Sequence, residues 1–185
     1  MTTTHEKHMY LGCVLAALRE ASPQTVIAEA SKAQGHFIVN SRVRVLVKYT
    51  GGSWPKPHRG PPWGAWRFDI KPADKTVLLN NITAEPSFLV LVCADYGVVA
   101  ADAAQIIYLL DPANRPERQS LRGDKVDGGV LLRAKVHEPG VVLRSADFPR
   151  CLLMPGPARQ SGKDALPADG SALARFARGA EPVAA

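Results

Sequence analysis

Residues 36–50, HFIVNSRVRVLVKYT, decide the fold that we expect for this chain. Residues 36–40 predict a short strand, Asn40 and Ser41 a tight turn, and residues 41–50 a longer strand. The side chains of the longer strand alternate between an apolar face and a mainly basic face, namely Val43, Val45, Val47 and Tyr49 against Arg42, Arg44, Leu46 and Lys48. Strands joined by so short a turn pair antiparallel, so we expect a hairpin.

Helices and strands are predicted on both sides of this hairpin. Residues 4–21 predict a helix, because Tyr10, Val14 and Leu18 recur at helical spacing. Residues 88–93, FLVLVC, are typical of a central strand covered on both sides. The other predicted elements are a helix or extended piece at 25–33, a strand at 66–70, a helical turn at 74–82, a strand at 98–101, a helix at 103–110 opened by a capping box of Asp102 and Gln105, a polar loop at 114–129, and strands at 130–136 and 141–144.

This order of elements predicts an α/β (α+β) fold, with a mixed β-sheet flanked by helices. Hydrophobic residues make up 46% of the 185 residues, which is enough for one core. We expect a single domain over residues 1–154 and a mostly disordered tail, rich in Pro, Gly and Ala, over residues 155–185. Because no apolar run reaches the length of a membrane span, we expect a cytoplasmic protein whose cysteines, Cys13, Cys93 and Cys151, are reduced and buried.

The net charge is confined to one stretch of the chain. Of the formal net charge of +6, all is accounted for by residues 41–72, which hold seven bases and a single acid, Asp69. The same stretch contains all three tryptophans, Trp54, Trp63 and Trp66. A local positive field interleaved with flat aromatic rings is typical of a surface that contacts phosphates and bases.

These residues predict a nucleic-acid-binding surface. Arginine forks bind phosphate oxygens, and an exposed tryptophan can stack on an unpaired base. Residues 51–64 contain four glycines and four prolines and predict a stiff exposed loop, whereas Trp66 alternates with Phe68 and is expected in the core. The predicted binding residues are Arg42, Arg44, Lys48, Trp54, Lys56, Arg59, Trp63 and Arg67. Two alternatives stay open, which are a protein-interaction or inhibitor module that binds an acidic partner, and a solvated charged face.

The order of these elements also resembles the core of the restriction-endonuclease-like, or PD-(D/E)xK, nucleases. The resemblance is carried by the first helix, by GHFIVN at residues 35–40, by RVLVKYT at residues 44–50 and by WRFDI at residues 66–70. Residues 88–110 would supply the fourth and fifth strands and their covering helix. The resemblance implies a nuclease-like architecture with a role in DNA processing or genome defence.

In that family two carboxylates share a divalent metal ion, and a lysine steadies charge on the phosphate and the attacking water. Lys48 matches this lysine, but the acid two residues before it is replaced by Leu46, and the first acid falls near His36. The resemblance therefore implies a catalytically degenerate domain without a cofactor, which binds DNA or RNA and can act with a partner protein.

The alternative within this family is a Mg²⁺-dependent endonuclease with relocated acids. Lys48 and Asp69 would then be catalytic, and Asp69, Glu20 and His36 would be the candidate metal ligands. Asp69 has a structural alternative as a cross-strand charge partner of Arg42, Arg44 or Lys48.

Overall fold

The computed structural model describes residues 4–30, 35–50, 65–80, 82, 85–94, 96–110, 117–134 and 139–155. These residues form helices, strands and one 3₁₀ turn. In chain order they are α1 (Thr4–Ala21), β1 (Ile27–Glu29), β2 (His36–Val39), β3 (Val43–Thr50), β4 (Ala65–Ile70), α2 (Pro72–Leu79), β5 (Ser87–Cys93), β6 (Gly97–Ala101), α3 (Ala103–Leu109), β7 (Gln119–Val126), β8 (Gly129–Arg133), β9 (Val141–Arg144), the 3₁₀ turn (Ser145–Asp147) and α4 (Arg150–Leu153).

The first sheet, sheet A, is mixed and has the strand order β1-β2-β3-β5-β6. β3 and β5 run parallel, and the other neighbours run antiparallel. The hairpin predicted from residues 36–50 is confirmed, with Phe37 opposite Val45. Asn40, Ser41 and Arg42 connect the two strands. Asn40 and Ser41 have positive φ angles, 51° and 59°, and the Arg42 backbone N–H donates to the Val39 carbonyl at 3.2 Å, which closes a tight turn.

The second sheet, sheet B, is antiparallel, with the order β4-β7-β8-β9. The α+β class, with a mixed sheet flanked by helices, is therefore confirmed, and the second sheet is an addition to it. The prediction that residues 66–70 form a strand is right. The cross-strand pairing of Asp69 with Arg42, Arg44 or Lys48 would have placed this strand beside the hairpin, and that placement is wrong, because β4 pairs with β7. The same alternation of Trp66, Phe68 and Ile70 would fit either sheet, so the pattern could not decide between them.

The predicted polar loop at residues 114–129 is also wrong, because residues 119–126 form β7. An inward position of β7 is occupied by Gly123, and a Cβ there would lie 2.9 Å from Val130 Cγ1 and 3.6 Å from the Phe68 ring. Side chains of β4 and β8 fill the space beside Gly123. At this inward position, where a strand usually has an apolar side chain, β7 therefore has none. This glycine removes the alternation by which the strand could have been predicted.

Two apolar layers hold these elements together. α1 and α4 cover one face of sheet A, where Val14, Leu18 and Leu152 pack on Val45 and Val90. The other face of sheet A packs on sheet B and on α2 and α3, through a larger cluster that includes Leu46, Leu91, Phe68, Leu79 and Ile106. Sheet A is thus covered on both faces, whereas sheet B turns one face to solvent.

Several smaller predictions have outcomes in the structure. The helix at residues 4–21 is confirmed as α1, and the capping box of α3 is confirmed, since the Asp102 and Gln105 side chains each accept the other's backbone N–H at 3.0 Å. For residues 25–33, a helix or an extended piece was predicted, and residues Ile27–Glu29 form the extended strand β1. The predicted loop at 51–64 and the tail beyond residue 155 lie outside the described residues.

None of the helices in the described ranges is long and apolar enough to cross a membrane.

Candidate nucleic-acid interface

The basic residues predicted to form one surface are divided between the two sheets. Arg42 is exposed in the β2–β3 turn, and Arg44 and Lys48 lie on β3 of sheet A. Arg67 lies on β4 of sheet B. Trp54, Lys56, Arg59 and Trp63 are outside the described residues. The structure therefore does not bring Arg67 together with the basic residues of β3.

On β3, the basic side chains bind acids of neighbouring segments. Lys48 Nζ donates to Asp74 Oδ2 at 2.5 Å, and the same oxygen accepts the backbone N–H of Lys71 at 2.8 Å. Arg44 Nε donates to Glu85 Oε2. Asp74 is in the first turn of α2, so its carboxylate caps that helix and attaches it to β3. Lys48, the predicted catalytic lysine, thus has a structural contact that attaches α2 to β3.

Asp69 lies on the face of sheet B that points away from sheet A, because its neighbours Phe68 and Ile70 are buried between the sheets. Its carboxylate accepts hydrogen bonds from Ser120 Oγ at 2.7 Å and from the Arg118 guanidinium at 2.5 Å. The Ser120 hydroxyl and the Arg118 guanidinium hold the pKa of Asp69 below its ordinary value of 3.8. Asp69 is thus a cross-strand charge partner, but of sheet B arginines and not of Arg44 or Lys48.

The other predicted metal ligands lie on separate elements. His36 is 4% exposed on β2, and burial together with the charge of Arg44 lowers its pKa below 6.5. Glu20 is exposed near the end of α1. Leu46, at the second acidic position of the nuclease pattern, is packed in the core between the sheets. Within the described ranges, no group of three or more His, Cys, Asp or Glu side chains has a geometry that could hold a metal ion.

The cysteines differ in exposure, although all three are free thiols. Burial raises the pKa of the Cys93 thiol to about 12, so this thiol stays protonated at neutral pH and is a poor nucleophile. Burial likewise raises the pKa of Cys151 to about 11. The prediction that the cysteines are buried is wrong for Cys13, which is exposed on α1.

A row of three arginines lies on the outer face of sheet B. Arg67 of β4 is directly opposite Arg122 of β7, and Arg122 is directly opposite Arg133 of β8. Residues in register on adjacent strands point to the same face, about 4.8 Å apart. We call Arg67, Arg122 and Arg133 the arginine row. It crosses three strands at right angles.

Each end of the arginine row is held by an aspartate that two arginines share. Asp69 lies within 3.7 Å of Arg67 and binds Arg118, which directly precedes β7. Asp124 accepts from Arg122 at 3.1 Å and from Arg133 at 3.3 Å. Among the described residues, these four guanidinium groups therefore share two carboxylates, and Arg67 also donates to Ser120 Oγ at 3.0 and 3.1 Å. Within this part of the chain the group has more positive than negative charge and more N–H donors than these acceptors take up.

The register of the row places like charges opposite one another, and Asp124 offsets part of the repulsion by binding both Arg122 and Arg133. Like charges placed directly opposite each other on a sheet destabilise it, and the row contains two such pairs in succession. The side chains are also accessible, since 56% of the Arg67 side chain and 36% of the Arg122 side chain are exposed. An exposed row of guanidinium groups is suited to bind phosphate oxygens in pairs.

Sequence reasoning found Arg67 but missed Arg118, Arg122, Arg133 and Asp124. Three of these lie in residues 114–129, which were predicted as a loop. The alternation of Arg122 and Asp124 with buried positions becomes visible only once Gly123 is recognised as an inward residue. Pairing of β4 with β7 cannot be read from local sequence, because it joins Arg67 to Arg122, 55 positions further along the chain. The β7–β8 pairing is local, and the two-residue connection Asp127-Gly128 between these strands is the hairpin signal that could have identified it.

No family model, no curated protein and no solved structure matches this chain.

Proposed function

We propose that this chain is a nucleic-acid-binding domain whose contact surface is the arginine row. The observation that carries the proposal is the register of Arg67, Arg122 and Arg133, which places three like charges in line on an exposed sheet face. A polyanion relieves the mutual repulsion of these side chains when it binds, and its phosphates accept the N–H donors that the two aspartates leave over.

Residues 51–64 directly precede β4 in the sequence, and we include their basic and aromatic residues in the proposed interface. β4 is the strand that carries Arg67, and the included residues are Trp54, Lys56, Arg59 and Trp63. Arg44 and Lys48 are not part of the proposed interface, because they lie on sheet A and each has an acid of its own, Glu85 and Asp74 respectively, whereas Arg122 and Arg133 share one.

The test is the salt dependence of oligonucleotide binding. Fluorescence anisotropy measures this binding for the wild type, Arg122→Ala and Arg19→Ala. For double-stranded DNA, each phosphate contact contributes about 0.9 to the slope of log Kobs against log salt. We expect Arg122→Ala to weaken binding several-fold and to reduce the slope by about that amount.

Arg19→Ala is the matched control, because it removes the same charge from α1, on the opposite side of the molecule. This variant should bind like the wild type. Thermal unfolding of both variants shows whether they are folded. Absent binding by the wild type, binding that salt does not affect, or equal losses in the two variants would each contradict the proposal.

The nuclease alternative is favoured by one contact only, the Asp74 carboxylate beside Lys48. It predicts that plasmid DNA is cleaved when Mg²⁺ or Mn²⁺ is added and that Asp74→Asn abolishes cleavage while leaving the salt-dependent binding intact. Binding without cleavage would support the proposed binding domain and exclude a Lys48-centred nuclease under those conditions.

A further inference from the structure

The arginine row and its surroundings restrict what part of a nucleic acid can lie on sheet B. The outward positions of the described strands can be read from the pairing registers. Apart from the three arginines they are Asp69 on β4, Ser120, Asp124 and Val126 on β7, Gly129 and Leu131 on β8, and Val142 and Arg144 on β9. None of these described outward positions carries an aromatic side chain on which an unpaired base could stack.

One acid flanks the row on each side. Asp69 lies one outward position to one side of the row, and Asp124 lies one outward position to the other side. Outward positions along a strand are two residues, or about 7 Å, apart. A phosphate displaced from the row toward Asp69 or Asp124 would therefore meet a carboxylate, whereas a phosphate on the row meets guanidinium groups. The charge pattern fits one chain of phosphates that follows the row.

The row is also short. Its three members span two strand spacings, or about 10 Å between the outer backbones. That length accommodates neighbouring phosphates of one strand and not a stack of bases laid flat on the sheet. Arg118 binds the same carboxylate as Arg67, but it lies beside the row and not in line with it, because it precedes Arg122 by four residues.

We infer that the arginine row is a track for a single sugar–phosphate backbone, which crosses β4, β7 and β8 at right angles and is recognised without its bases. This inference rests on the proposed function and narrows it, since it assigns the ligand class as the phosphodiester backbone. The bases point away from sheet B, so they do not contribute to affinity at this surface.

The experiment compares two single-stranded oligonucleotides of equal length, one normal and one in which every base is replaced by an abasic sugar. The protein is the full chain carrying Trp54→Ala and Trp63→Ala, which removes the candidate stacking groups of residues 51–64 and leaves sheet B to be tested. We expect the dissociation constants of the two oligonucleotides to agree within about threefold, since both present the same phosphates.

A second comparison tests the course of the track. Arg67→Ala, Arg122→Ala and Arg133→Ala should each lower the salt slope for single strands by about 0.7. Arg144→Ala is the control on the same sheet face, because Arg144 is opposite Gly129, four residues or about 13 Å along β8 from Arg133. We expect Arg144→Ala to have the same salt slope as the protein without this substitution.

The outcomes separate the inference from the proposed function. Tenfold weaker binding of the abasic oligonucleotide, or a loss for Arg144→Ala equal to that of the row variants, would overturn the backbone track while leaving nucleic-acid binding in place. If the wild-type chain binds neither oligonucleotide, the proposed function itself is wrong, and the inference is overturned with it.

Discussion

At the scale of single residues, the basic side chains of this chain have two different roles. Those on sheet A attach elements to one another, as Lys48 attaches α2 through Asp74, whereas those on the outer face of sheet B share too few acids to be neutralised. The difference lies in burial and partners and not in residue type. It explains why charge counting along the sequence located a basic stretch but assigned Arg44, Lys48 and Arg67 to one surface.

Lys48→Met is expected to lower the free energy of unfolding by about 1–3 kcal/mol, because it leaves the buried Asp74 carboxylate without its charged partner. The matched control is Lys71→Met, at an exposed lysine that contacts Asp74 through its backbone N–H, which the substitution keeps. We expect the control to change stability by less than about 0.5 kcal/mol. Urea unfolding measures both, and equal effects would contradict the structural role of Lys48.

His36 makes the stability of the fold depend on pH. Burial and the nearby Arg44 lower its pKa below the ordinary value of 6.5, so the folded state binds a proton less readily than the unfolded state. The free energy of unfolding should therefore fall as the pH drops from 6.5 toward the folded-state pKa and should be unaffected by His36 above 6.5.

Urea unfolding at pH about 7.5 and about 5.5 measures this dependence. His36→Gln should lose less stability between the two pH values than the wild type does. His8→Gln, at an exposed histidine of α1, should lose as much as the wild type. An unchanged pH dependence in His36→Gln would show that another group is responsible.

At the scale of elements, two glycines differ in whether the structure has space for an added side chain. Gly12 lies in α1, and a Cβ added there meets nothing within 4 Å. Gly12→Ala should raise the free energy of unfolding by about 0.5–1 kcal/mol, because alanine loses less backbone entropy in a helix.

Gly129→Ala is the opposite case and serves as the comparison. A Cβ at Gly129 would collide with the Leu143 backbone of the adjacent strand, so we expect a loss of about 1–3 kcal/mol. Thermal and urea unfolding measure both variants. A destabilised Gly12→Ala would show that the exposed side of α1 is not open to an added methyl group.

Elements were predictable from the sequence where the local pattern was strong. α1, the β2–β3 hairpin, β5 and the capping box of α3 follow from spacing and alternation that neighbouring residues supply. β7 was missed because the space at Gly123 is filled from β4 and β8, so that Leu121 is the single buried apolar side chain of this strand. The assignment of β4 to a second sheet depends on pairing with β7, and no local pattern contains that information.

At the scale of the whole molecule, the order of layers is α1 and α4, sheet A, the inter-sheet core with α2 and α3, and sheet B. The candidate site could be predicted only in part, because the arginine row exists only after this layering turns Arg67 outward and pairs it with residues far along the chain. The basic composition was visible in the sequence, but its geometry was not.

The same layering predicts where the fold is most resistant to opening. All seven residues of β5 are buried, and β5 pairs with β3 on one side and β6 on the other. Its amide protons should therefore exchange with solvent more slowly than those of β1, a three-residue edge strand. Native-state hydrogen exchange measures the difference, and fast exchange in β5 would contradict a central position for this strand.

The exposure of Cys13 has a practical consequence. Its thiol is accessible, whereas Cys93 is buried and Cys151 is partly covered, so a maleimide dye should label the native protein at one position. One helix layer and one inter-sheet layer separate that position from the arginine row, which is roughly 20 Å. A fluorophore on Cys13 would thus stand clear of a docked oligonucleotide yet remain within energy-transfer range of a second fluorophore on it.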